Sequence, residues 1–378
     1  MRIAINGRVL IKNKLEGIGY FTWEVLKNMV RLYPEHDYLV LFDRNPDKEF
    51  LIPGIEFKVL RPAARHPMLY RIWFDLLVPL HVRMWDAEIF ISFDGFTSQY
   101  LNIPVITAIH DLAYLHYPAY MKATDLHFYQ KYQPRFARKS DKILTVSRYS
   151  AADIADQYGI DEAKIDVVYN GSRFEKSSPS QDPSVLEKYR LQPGRYVIYT
   201  GSLHPRKNIS RLIKGFEESA SAREDQVFLV LAGRKAWDAE SIFDLIEQSP
   251  VAGQIVHTGY IPDSDLWNLL SHSLCLCYVS LFEGFGVPVL DAFHAQVPVI
   301  CSNSTSLAEV AGEAAFLVDA NDFRTITRAI DELYLDTELR QRLIRKGNER
   351  KEMFSWTYTT QRVFHVIEDV YSQRYGLK

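Results

Sequence analysis

The stretch Glu283-Gly-Phe-Gly-Val-Pro-Val-Leu-Asp291 decides how this chain folds and where its chemistry lies. It follows an apolar run, LCLCYV at 274–279, whose composition is typical of a buried strand. Its two glycines allow a sharp turn and a close approach of the backbone to a ligand. Pro288 fits the first position of a helix, where its missing N–H costs nothing. The stretch therefore predicts a strand, a glycine loop and a helix N-terminus in succession.

The same stretch carries two carboxylates, with Glu283 in the loop and Asp291 about one turn into the predicted helix. A helix N-terminus offers N–H groups and a positive dipole to an anion such as a diphosphate. Carboxylates at these two places can accept hydrogen bonds from vicinal hydroxyls. Phosphate together with hydroxyls indicates a sugar nucleotide, although spacing alone is equally compatible with an ordinary strand, loop and helix.

Composition and charge exclude several classes of protein. Apolar residues make up 47% of the 378 residues and charged residues 24%, which is typical of a soluble globular protein. The net charge of −3 gives no reason to expect nucleic-acid binding. No apolar run reaches the roughly 18 residues of a membrane span, and MRIAING predicts a first strand and no signal segment. Three cysteines cannot build a disulfide framework, so we expect a reducing cytoplasm.

Short apolar strands alternate with amphipathic helices in both halves of the chain, which predicts two doubly wound α/β domains. We expect an N-terminal domain over 1–175, a C-terminal domain over 190–356, and a last helix, about 357–378, that packs back on the first domain. The run 172–194 is rich in Ser, Pro and charge and predicts a linker. The two domains would face each other across a cleft, with ligands at the carboxyl ends of the strands.

Three segments of the first half have residues that could border a ligand. Asn6-Gly7-Arg8 ends the first strand, and Gly17-Ile18-Gly19 comes in a loop before a helix predicted over 20–32. The glycine pair lets backbone N–H groups approach a phosphate or a sugar, with a flexible turn as the alternative. His110 directly follows the strand VITAI and can point into the cleft, with a histidine satisfied by local backbone as the alternative.

Two adjacent cations, Arg206 and Lys207, follow the first strand of the second domain in the segment GSLHPRKN. Cations at a helix N-terminus oppose its dipole, and a bound anion would remove that conflict. Paired cations beside a diphosphate stabilise a phosphate leaving group. A solvated surface pair is the alternative.

Two further segments have a structural interpretation. Asp263-Ser264-Asp265 is a D-x-D pattern that can hold a divalent metal, but it follows Pro262 and opens a helical run. We interpret Asp263 as an N-cap and Asp265 as a first-turn residue, and we expect no metal. Ser306 with Glu309 predicts a capping box.

The segment 68–85, MLYRIWFDLLVPLHVRMW, is strongly apolar, with Arg71 and Arg83 among its apolar residues. Two interpretations remain open: a core helix of the first domain, or a helix that contacts membrane lipid. Pro79 would interrupt or kink such a helix.

In these segments the chain resembles the retaining glycosyltransferases of family 4, which have the GT-B fold. The similarity runs nearly from end to end and is strongest in SLFEGFGVPVLDAF and PVICSNSTSLAEVAGEAAFLVDANDF. Other segments match in the family's order: LTVSRYSAADI, VVYNG, YTGSLHPRKN, VLAG and TGYIPDSDL. The GIG near the N-terminus together with HPRKN is similar to bacterial mannosyltransferases of cell-surface polysaccharides.

The resemblance implies roles at the matching positions. Glu283 would bind hydroxyls of the transferred sugar, and Asp291 would bind the ribose. Lys207 with Arg206 would neutralise the diphosphate, and His110 would line the pocket of the donor sugar. The other residues expected to border the substrates are Gly17, Gly19, Gly201, Ser202, Gly233, Tyr260, Ile261, Gly284, Phe285, Gly286 and Val287.

Three positions depart from the family's pattern. Asp291 stands where a glutamate is typical, and Ala295-Gln296 stands where a pair such as Cys-Gly is usual. Ser202 occupies a place where many relatives carry a phosphate-binding arginine, which moves the charge requirement onto Arg206 and Lys207.

The implied activity is a metal-independent, cofactor-free transfer of mannose from GDP-mannose to a carbohydrate or lipid-linked oligosaccharide acceptor, with retention. The first domain would bind the acceptor and contact the inner face of the membrane peripherally. A UDP-sugar donor, a GT-B sugar-nucleotide epimerase and a catalytically silent sugar-nucleotide-binding protein remain open alternatives. A dinucleotide oxidoreductase is the weakest candidate, because no G-x-G-x-x-G follows a strand with an acidic residue about 20 positions further.

Overall fold

The computed structural model describes residues 1–12, 15–64, 66–180, 182–236 and 240–376. The chain divides into two compact units, with Met1–Asn170 and Trp356–Lys378 in unit 1 and Gly171–Ser355 in unit 2. The α-helices, in chain order, are α1 Gly17–Leu32, α2 Pro67–Ile72, α3 Val78–Met84, α4 Ala113–His116, α5 Ala123–Lys139, α6 Arg148–Tyr158, α7 Ser184–Lys188, α8 Ile209–Glu217, α9 Ala220–Arg223, α10 Glu240–Gln248, α11 Asp263–Ser271, α12 Val287–His294, α13 Thr305–Ala311, α14 Phe323–Leu335, α15 Thr337–Lys351 and α16 Trp356–Tyr375.

The described residues of unit 1 form a seven-stranded sheet whose neighbouring strands are all parallel. Its spatial order is β3-β2-β1-β4-β5-β6-β7. The strands are β1 Arg2–Asn6, β2 Asp37–Phe42, β3 Glu56–Val59, β4 Ile89–Ser92, β5 Val105–Ala108, β6 Lys142–Thr145 and β7 Ile165–Val167.

The described residues of unit 2 form a six-stranded parallel sheet in the order β10-β9-β8-β11-β12-β13. Its strands are β8 Tyr196–Thr200, β9 Phe228–Ala232, β10 Ile255–Gly259, β11 Cys275–Tyr278, β12 Val299–Ser302 and β13 Phe316–Val318. Central strands such as β8, β11 and β12 are buried along their whole length, as the near-continuous apolar runs predict. The prediction of two doubly wound domains is confirmed.

The strand order sets where loops from distant parts of the chain meet. In each sheet the order reverses beside the first strand, between β1 and β4 in unit 1 and between β8 and β11 in unit 2. In doubly wound sheets, ligands bind outside the carboxyl ends of the strands at this switch point. The loops after β8 and β11 carry the cations and the carboxylate predicted as site residues.

The last helix, α16, packs on the first helix of unit 1. The ring of Phe364 stacks on that of Tyr33 with centroids 3.5 Å apart, and Trp356 meets Phe21 edge-on at 6.0 Å. The α1 helix begins at Gly17 and not at residue 20, so both glycines of the GIG segment lie in its first turn.

The run 172–194 is part of unit 2 and not a free linker, so that prediction is wrong for its described residues. Ser172 and Phe174 are buried, and the ring of Phe174 lies 4.5 Å from that of Trp267. The indole Nε1 of Trp267 donates to the carbonyl oxygen of Ser178 at 2.8 Å, and α7 follows within the run. Apolar anchors between the polar residues hold this segment on α11.

The apolar segment 68–85 forms α2, a π turn over Trp73–Leu77, and α3. Trp73, Phe74, Val78 and Val82 are buried in the core of unit 1, which confirms the core-helix interpretation for this face. Pro79 does not break the helix; it is the second residue of α3, which begins directly after the π turn. Within the described ranges, no helix is both long and apolar enough to cross a membrane.

Candidate functional site

Four polar side chains meet at the switch point of unit 2, and we call them the Glu283 cluster: Arg206, Lys207, Tyr278 and Glu283. The ammonium group of Lys207 lies 2.6 Å from Oε1 of Glu283 and donates to the phenol oxygen of Tyr278 at 2.9 Å. That phenol donates to the same carboxylate oxygen at 2.9 Å. Nη1 of Arg206 lies 3.3 Å from Oε2 of Glu283 and also donates to the carbonyl oxygen of Phe282. One carboxylate therefore binds two cations and a phenol.

Asn208 fixes the turn that carries both cations. It follows the 3₁₀ turn Pro205–Lys207, is buried, and has a left-handed backbone with φ 62°. Its side-chain amide donates to the carbonyl oxygens of Val279 at 3.0 Å and Ala320 at 2.7 Å. Asparagine is among the residues that tolerate this conformation, and its amide supplies both donors. An asparagine next to the two cations is the sequence signal that could have indicated this role.

Glu283 reduces the conflict that two cations beside a helix N-terminus would create. The helix α8 begins two residues after Lys207, with Asn208 at its N-cap. One carboxylate, which comes from the neighbouring loop, offsets the charge of one of the two cations. The alternative of a solvated surface pair is wrong, because the side chains of Arg206 and Lys207 are only 20% and 13% exposed.

Glu283 is ionised even though it is buried. Burial opposes ionisation, but Lys207 and then Arg206 outweigh it and lower the pKa of Glu283 to about 2. Burial raises the pKa of Tyr278 well above its ordinary value, so the phenol remains a neutral donor. Two cations and one carboxylate give the cluster one net positive charge, which favours an anionic ligand with hydroxyl groups beside it.

Two glycines let the loops of unit 2 approach each other closely. Gly286, the N-cap of α12, has φ +105°, and a Cβ there would lie 2.4 Å from Cδ2 of Leu307. A Cβ on Gly233 would lie 1.8 Å from the carbonyl oxygen of Gly201, which itself has φ +135°. Only glycine fits these positions, so backbone and not side chain borders this part of the site.

Ser306 holds the glycine loop that begins at Glu283 through two hydrogen bonds to its backbone. Its hydroxyl lies 2.8 Å from the carbonyl oxygen of Glu283 and 3.1 Å from that of Phe285. The predicted capping box with Glu309 is wrong, because α13 begins at Thr305 after the N-cap Ser304. The hydroxyl is used to hold the loop and not to cap the helix.

Asp291 is buried in α12 and has two side-chain partners of its own unit. Its Oδ1 accepts from the hydroxyl of Ser172 at 2.7 Å, and its Oδ2 accepts from Nε of Arg173 at 3.1 Å. Burial raises the pKa of Asp291 above its ordinary value, although Arg173 acts in the opposite direction. The ribose role stays a prediction. The two partners of Asp291, Ser172 and Arg173, lie in the run that was predicted as a linker.

The D-x-D segment is the start of α11. Its N-cap is Pro262, without a side-chain cap bond, so the prediction that Asp263 caps the helix is wrong. Asp263 and Asp265 both lie in the first turn, where negative charge suits the helix dipole, and Asp263 accepts from Nη1 of Arg173 at 3.2 Å. Over the described ranges, no group of three or more His, Cys, Asp or Glu side chains could hold a metal ion.

The remaining residues predicted in unit 2 lie on loops at the same sheet edge. The carbonyl oxygen of Ser202 accepts from the phenol of Tyr199 at 2.9 Å. Tyr260, directly after β10, is 69% exposed, whereas Ile261 is buried. Their contacts with a nucleotide base stay a prediction, as do the backbone contacts of Gly284, Phe285 and Val287.

Unit 1 has a second polar cluster at its own switch point. The amide of Asn6, at the end of β1, donates to the hydroxyl of Ser92, at the end of β4, at 3.0 Å. Arg8 donates to Oδ2 of Asp94 from Nε at 3.2 Å and from Nη2 at 2.6 Å, and its guanidinium lies 5.1 Å from the ring of Phe96. The sequence pattern singles out the segment of Arg8 but not Asp94, whose partner lies 86 residues away.

His110 follows β5 and has one ring nitrogen held by the backbone. Its Nε2 lies 2.9 Å from the carbonyl oxygen of Phe93, so this nitrogen carries the proton. Burial lowers the pKa of His110, which keeps the ring neutral and makes Nδ1 an acceptor. Gly17 and Gly19 lie in α1 of the same unit, and a Cβ on Gly19 would lie 3.3 Å from the carbonyl oxygen of Val9. Substrate contacts of these residues stay a prediction.

Two doubly wound parallel units are the architecture of the GT-B class of transferases, and a charged cluster lies at the switch point of unit 2. Residues 15–175 match the model of Glycosyltransferase Family 4, and residues 186–350 match the model of Glycosyl transferases group 1. The chain belongs to the family 4 glycosyltransferases, a family of retaining hexosyltransferases.

Similar sequences and a similar solved structure are also glycosyltransferases or share their fold. O-antigen chain mannosyltransferase B of Escherichia coli is 29% identical over 371 residues, which cover 93% of this chain and 96% of the relative. O-antigen chain mannosyltransferase RfbU of Salmonella typhimurium is 25% identical over 285 residues, 74% of each chain. The crystal structure of Anabaena HepE in complex with UDP-glucose has a TM-score of 0.74 at 16% identity, covering 98% of this chain and 100% of HepE. The predicted GT-B fold is confirmed.

Proposed function

We propose that unit 2 binds GDP-mannose and that the enzyme transfers mannose, with retention, to a carbohydrate acceptor held by unit 1. The Glu283 cluster carries this proposal, because one buried carboxylate lies between two cations at a switch point beside the N-terminus of α12. The net positive charge suits a diphosphate, and the carboxylate is an acceptor for sugar hydroxyls. The similarity to the two O-antigen mannosyltransferases supports mannose as the sugar.

The two cations of the cluster would act on the diphosphate as it leaves. The bond between the anomeric carbon and the diphosphate oxygen breaks as a bond to the acceptor oxygen forms, and the acceptor proton passes to the diphosphate. Negative charge builds on the leaving diphosphate, and Lys207 and Arg206 stabilise it. Removing one such preorganised donor typically costs about 2.7–4 kcal/mol.

We propose that this reaction needs no metal ion, since the two cations supply the charge that a divalent metal would otherwise supply. Transfer should continue at an unchanged rate in excess EDTA. Loss of transfer in EDTA, with recovery on adding Mn²⁺ or Mg²⁺, would show that a metal takes part.

A screen of nucleotide sugars by thermal unfolding tests the donor. At a hundredfold excess over its dissociation constant, a true donor stabilises the fold by about 2.7 kcal/mol. We expect GDP-mannose to raise the melting temperature more than GDP-glucose, UDP-glucose or UDP-galactose at equal concentration. If no nucleotide sugar stabilises the protein, the proposal of a donor site fails, and the alternative of a silent sugar-nucleotide-binding protein fails with it.

A UDP-sugar donor is the second candidate. The observation that favours it is HepE, which has the same fold and is described in complex with UDP-glucose. A larger shift with UDP-glucose than with GDP-mannose in the same screen would select this candidate. Analysis of the sugar after incubation without acceptor separates either transferase from an epimerase.

A further inference from the structure

Arg8 and Asp94 form a buried ion pair at the switch point of unit 1. The guanidinium donates to Oδ2 of Asp94 from two nitrogens, and the side chains of Arg8 and Asp94 are only 12% and 3% exposed. Replacing a buried ion pair by well-packed apolar residues of similar volume is often neutral or stabilising. Stability alone therefore does not account for this pair, which favours a role in holding neighbouring groups.

The carboxylate of Asp94 ties together the loop that follows β4. Its Oδ1 accepts from the hydroxyl of Ser92 at 2.9 Å and from the backbone N–H of Phe96 at 3.2 Å, while its Oδ2 accepts from Arg8. The bonds to the loop lie on both sides of Phe93 in the chain. They therefore constrain the backbone that carries the carbonyl group of Phe93.

That carbonyl group holds the ring of His110. Nε2 of His110 donates to the carbonyl oxygen of Phe93 at 2.9 Å, and the ring of Phe21 meets the imidazole edge-on with centroids 5.0 Å apart. With the proton on Nε2, Nδ1 is an acceptor. His110 follows β5, which lies beside β4, at the edge of the sheet where doubly wound domains bind ligands. An acceptor nitrogen at this edge suits a sugar hydroxyl.

We infer that Arg8 is a positioning residue, which holds His110 with Nδ1 as the acceptor for a hydroxyl of the transferred sugar. The link runs through the carboxylate of Asp94 and the carbonyl group of Phe93. This inference rests on the proposed function and on the expectation that His110 borders the donor sugar.

Arg8→Lys is the variant that tests the link. It keeps a positive charge opposite Asp94, but it loses the planar guanidinium, which donates two N–H groups to one carboxylate oxygen. It also loses the stacking of that plane on the ring of Tyr70, whose centroid lies 4.9 Å away. The loop after β4 should therefore be held less firmly, without leaving a buried carboxylate unpaired.

The ring of His110 reports its positioning without any substrate. In the full-length protein with ¹⁵N-labelled histidine, a two-bond ¹H–¹⁵N spectrum separates the two ring nitrogens, and His110→Ala identifies their signals. The wild type should show one neutral tautomer with the proton on Nε2. In Arg8→Lys the two nitrogen shifts should move toward each other, as the second tautomer becomes populated. Unchanged signals in Arg8→Lys would overturn the inference.

Turnover with GDP-mannose gives the second test. Arg8→Lys should lower kcat about tenfold, because a small displacement of a group that positions the substrate slows the reaction. In the His110→Ala background the same substitution should cause no further loss, since the side chain that Arg8 positions is gone. An equal loss in both backgrounds would overturn the inference, because Arg8 would then act by another route. If the wild type transfers no sugar, the proposed function fails, and the ring signals alone decide whether Arg8 positions His110.

Arg44→Lys is the matched control. Arg44 pairs at 2.6 Å with the buried carboxylate of Asp43, which follows β2 on the other side of β1 and accepts from the N–H of Ala64. The control therefore also replaces the arginine of a buried pair in unit 1. It should leave kcat and the His110 signals unchanged, and effects equal to those of Arg8→Lys would overturn the inference.

Asp94→Asn replaces Arg8→Lys if that variant fails to fold. Its amide oxygen can still accept from Ser92 and Phe96, but its amide nitrogen is a donor and cannot accept from Arg8. The same changes in the His110 signals and in kcat are expected, and unchanged signals would again overturn the inference.

Discussion

Lys207 and Glu283 are separated by 76 residues in the chain, yet the ammonium nitrogen and the carboxylate oxygen lie 2.6 Å apart. They meet because β8 and β11 are neighbours at the centre of the unit 2 sheet and each residue follows one of these strands. Both side chains are largely withdrawn from solvent, with 13% and 8% exposure. Removing one partner of such a pair leaves the other charge buried and unpaired. This lowers the free energy of unfolding more than breaking a surface pair does.

Lys207→Ala should lower turnover about a hundred- to a thousandfold with a much smaller effect on donor binding, because the charge matters most as the diphosphate leaves. Steady-state kinetics and calorimetry with the donor measure the two effects. The matched control is Lys346→Ala, since Lys346 pairs with Glu313 at 2.7 Å on an exposed surface. Near-normal turnover in Lys207→Ala would remove the lysine from the mechanism.

Tyr278→Phe should impair catalysis without leaving a cavity in the core, because the ring stays and only the hydroxyl that bridges Lys207 and Glu283 is removed. Loss of a hydrogen bond to a charged group should lower the free energy of unfolding by about 1.5–3 kcal/mol. Tyr196→Phe is the control, since its buried phenol donates to the carbonyl oxygen of Leu269. A fall in turnover confined to Tyr278→Phe is expected; equal turnover in the two variants would make the Tyr278 phenol a purely structural group.

The ribose prediction for Asp291 is tested by a double comparison. A 2′-deoxy nucleotide should bind the wild type about tenfold more weakly than the normal nucleotide, because a charged acceptor loses a partner. The difference should vanish in Asp291→Ala, in which Arg173 keeps its pair with Asp263. The same loss of affinity in both proteins would show that Asp291 only positions Ser172 and Arg173.

His294 should make the fold sensitive to mild acid. Burial, followed by the nearby charge of Lys351, lowers the pKa of His294 to about 4, below the ordinary value of 6.5. The unfolded chain then binds more protons between these values, so stability present above pH 6.5 is lost as the pH falls toward 4. Melting temperatures of His294→Leu should fall less over this range than those of the wild type. Parallel curves would mean that His294 does not contribute to the acid sensitivity.

The sequence predicts the fold well because its strands are apolar runs with glycine loops behind them. The segments SLFEGFGVPVLDAF and YTGSLHPRKN place Glu283 and Lys207 on loops after strands, and the parallel order then brings them together. The residues that were not predicted act through contacts across long sequence separations. Asn208 and Tyr278 have partners 71 residues away, Val279 and Lys207, and Ser306 bonds to the carbonyl oxygen of Glu283, 23 residues away. Among these three, only the asparagine beside the two cations has a local signal.

The wrong predictions have a common physical cause. Ser, Asp and Pro residues favour both caps and loops, and local patterns do not show which tertiary partner competes for a side chain. Arg173 competes for Asp263 and the glycine loop competes for Ser306. The run 172–194 is polar in composition, but Phe174 anchors it on Trp267.

The most direct test compares GDP and GDP-mannose binding to the wild type and to Glu283→Gln by calorimetry. The proposed partners of Glu283 are sugar hydroxyls, so the variant should bind GDP-mannose more weakly by about 1.5–3 kcal/mol. It should bind GDP as tightly as the wild type or more tightly, because Lys207 and Arg206 no longer share their charge with a carboxylate. Equal weakening of GDP and GDP-mannose would contradict the account, since it would place Glu283 away from the transferred sugar.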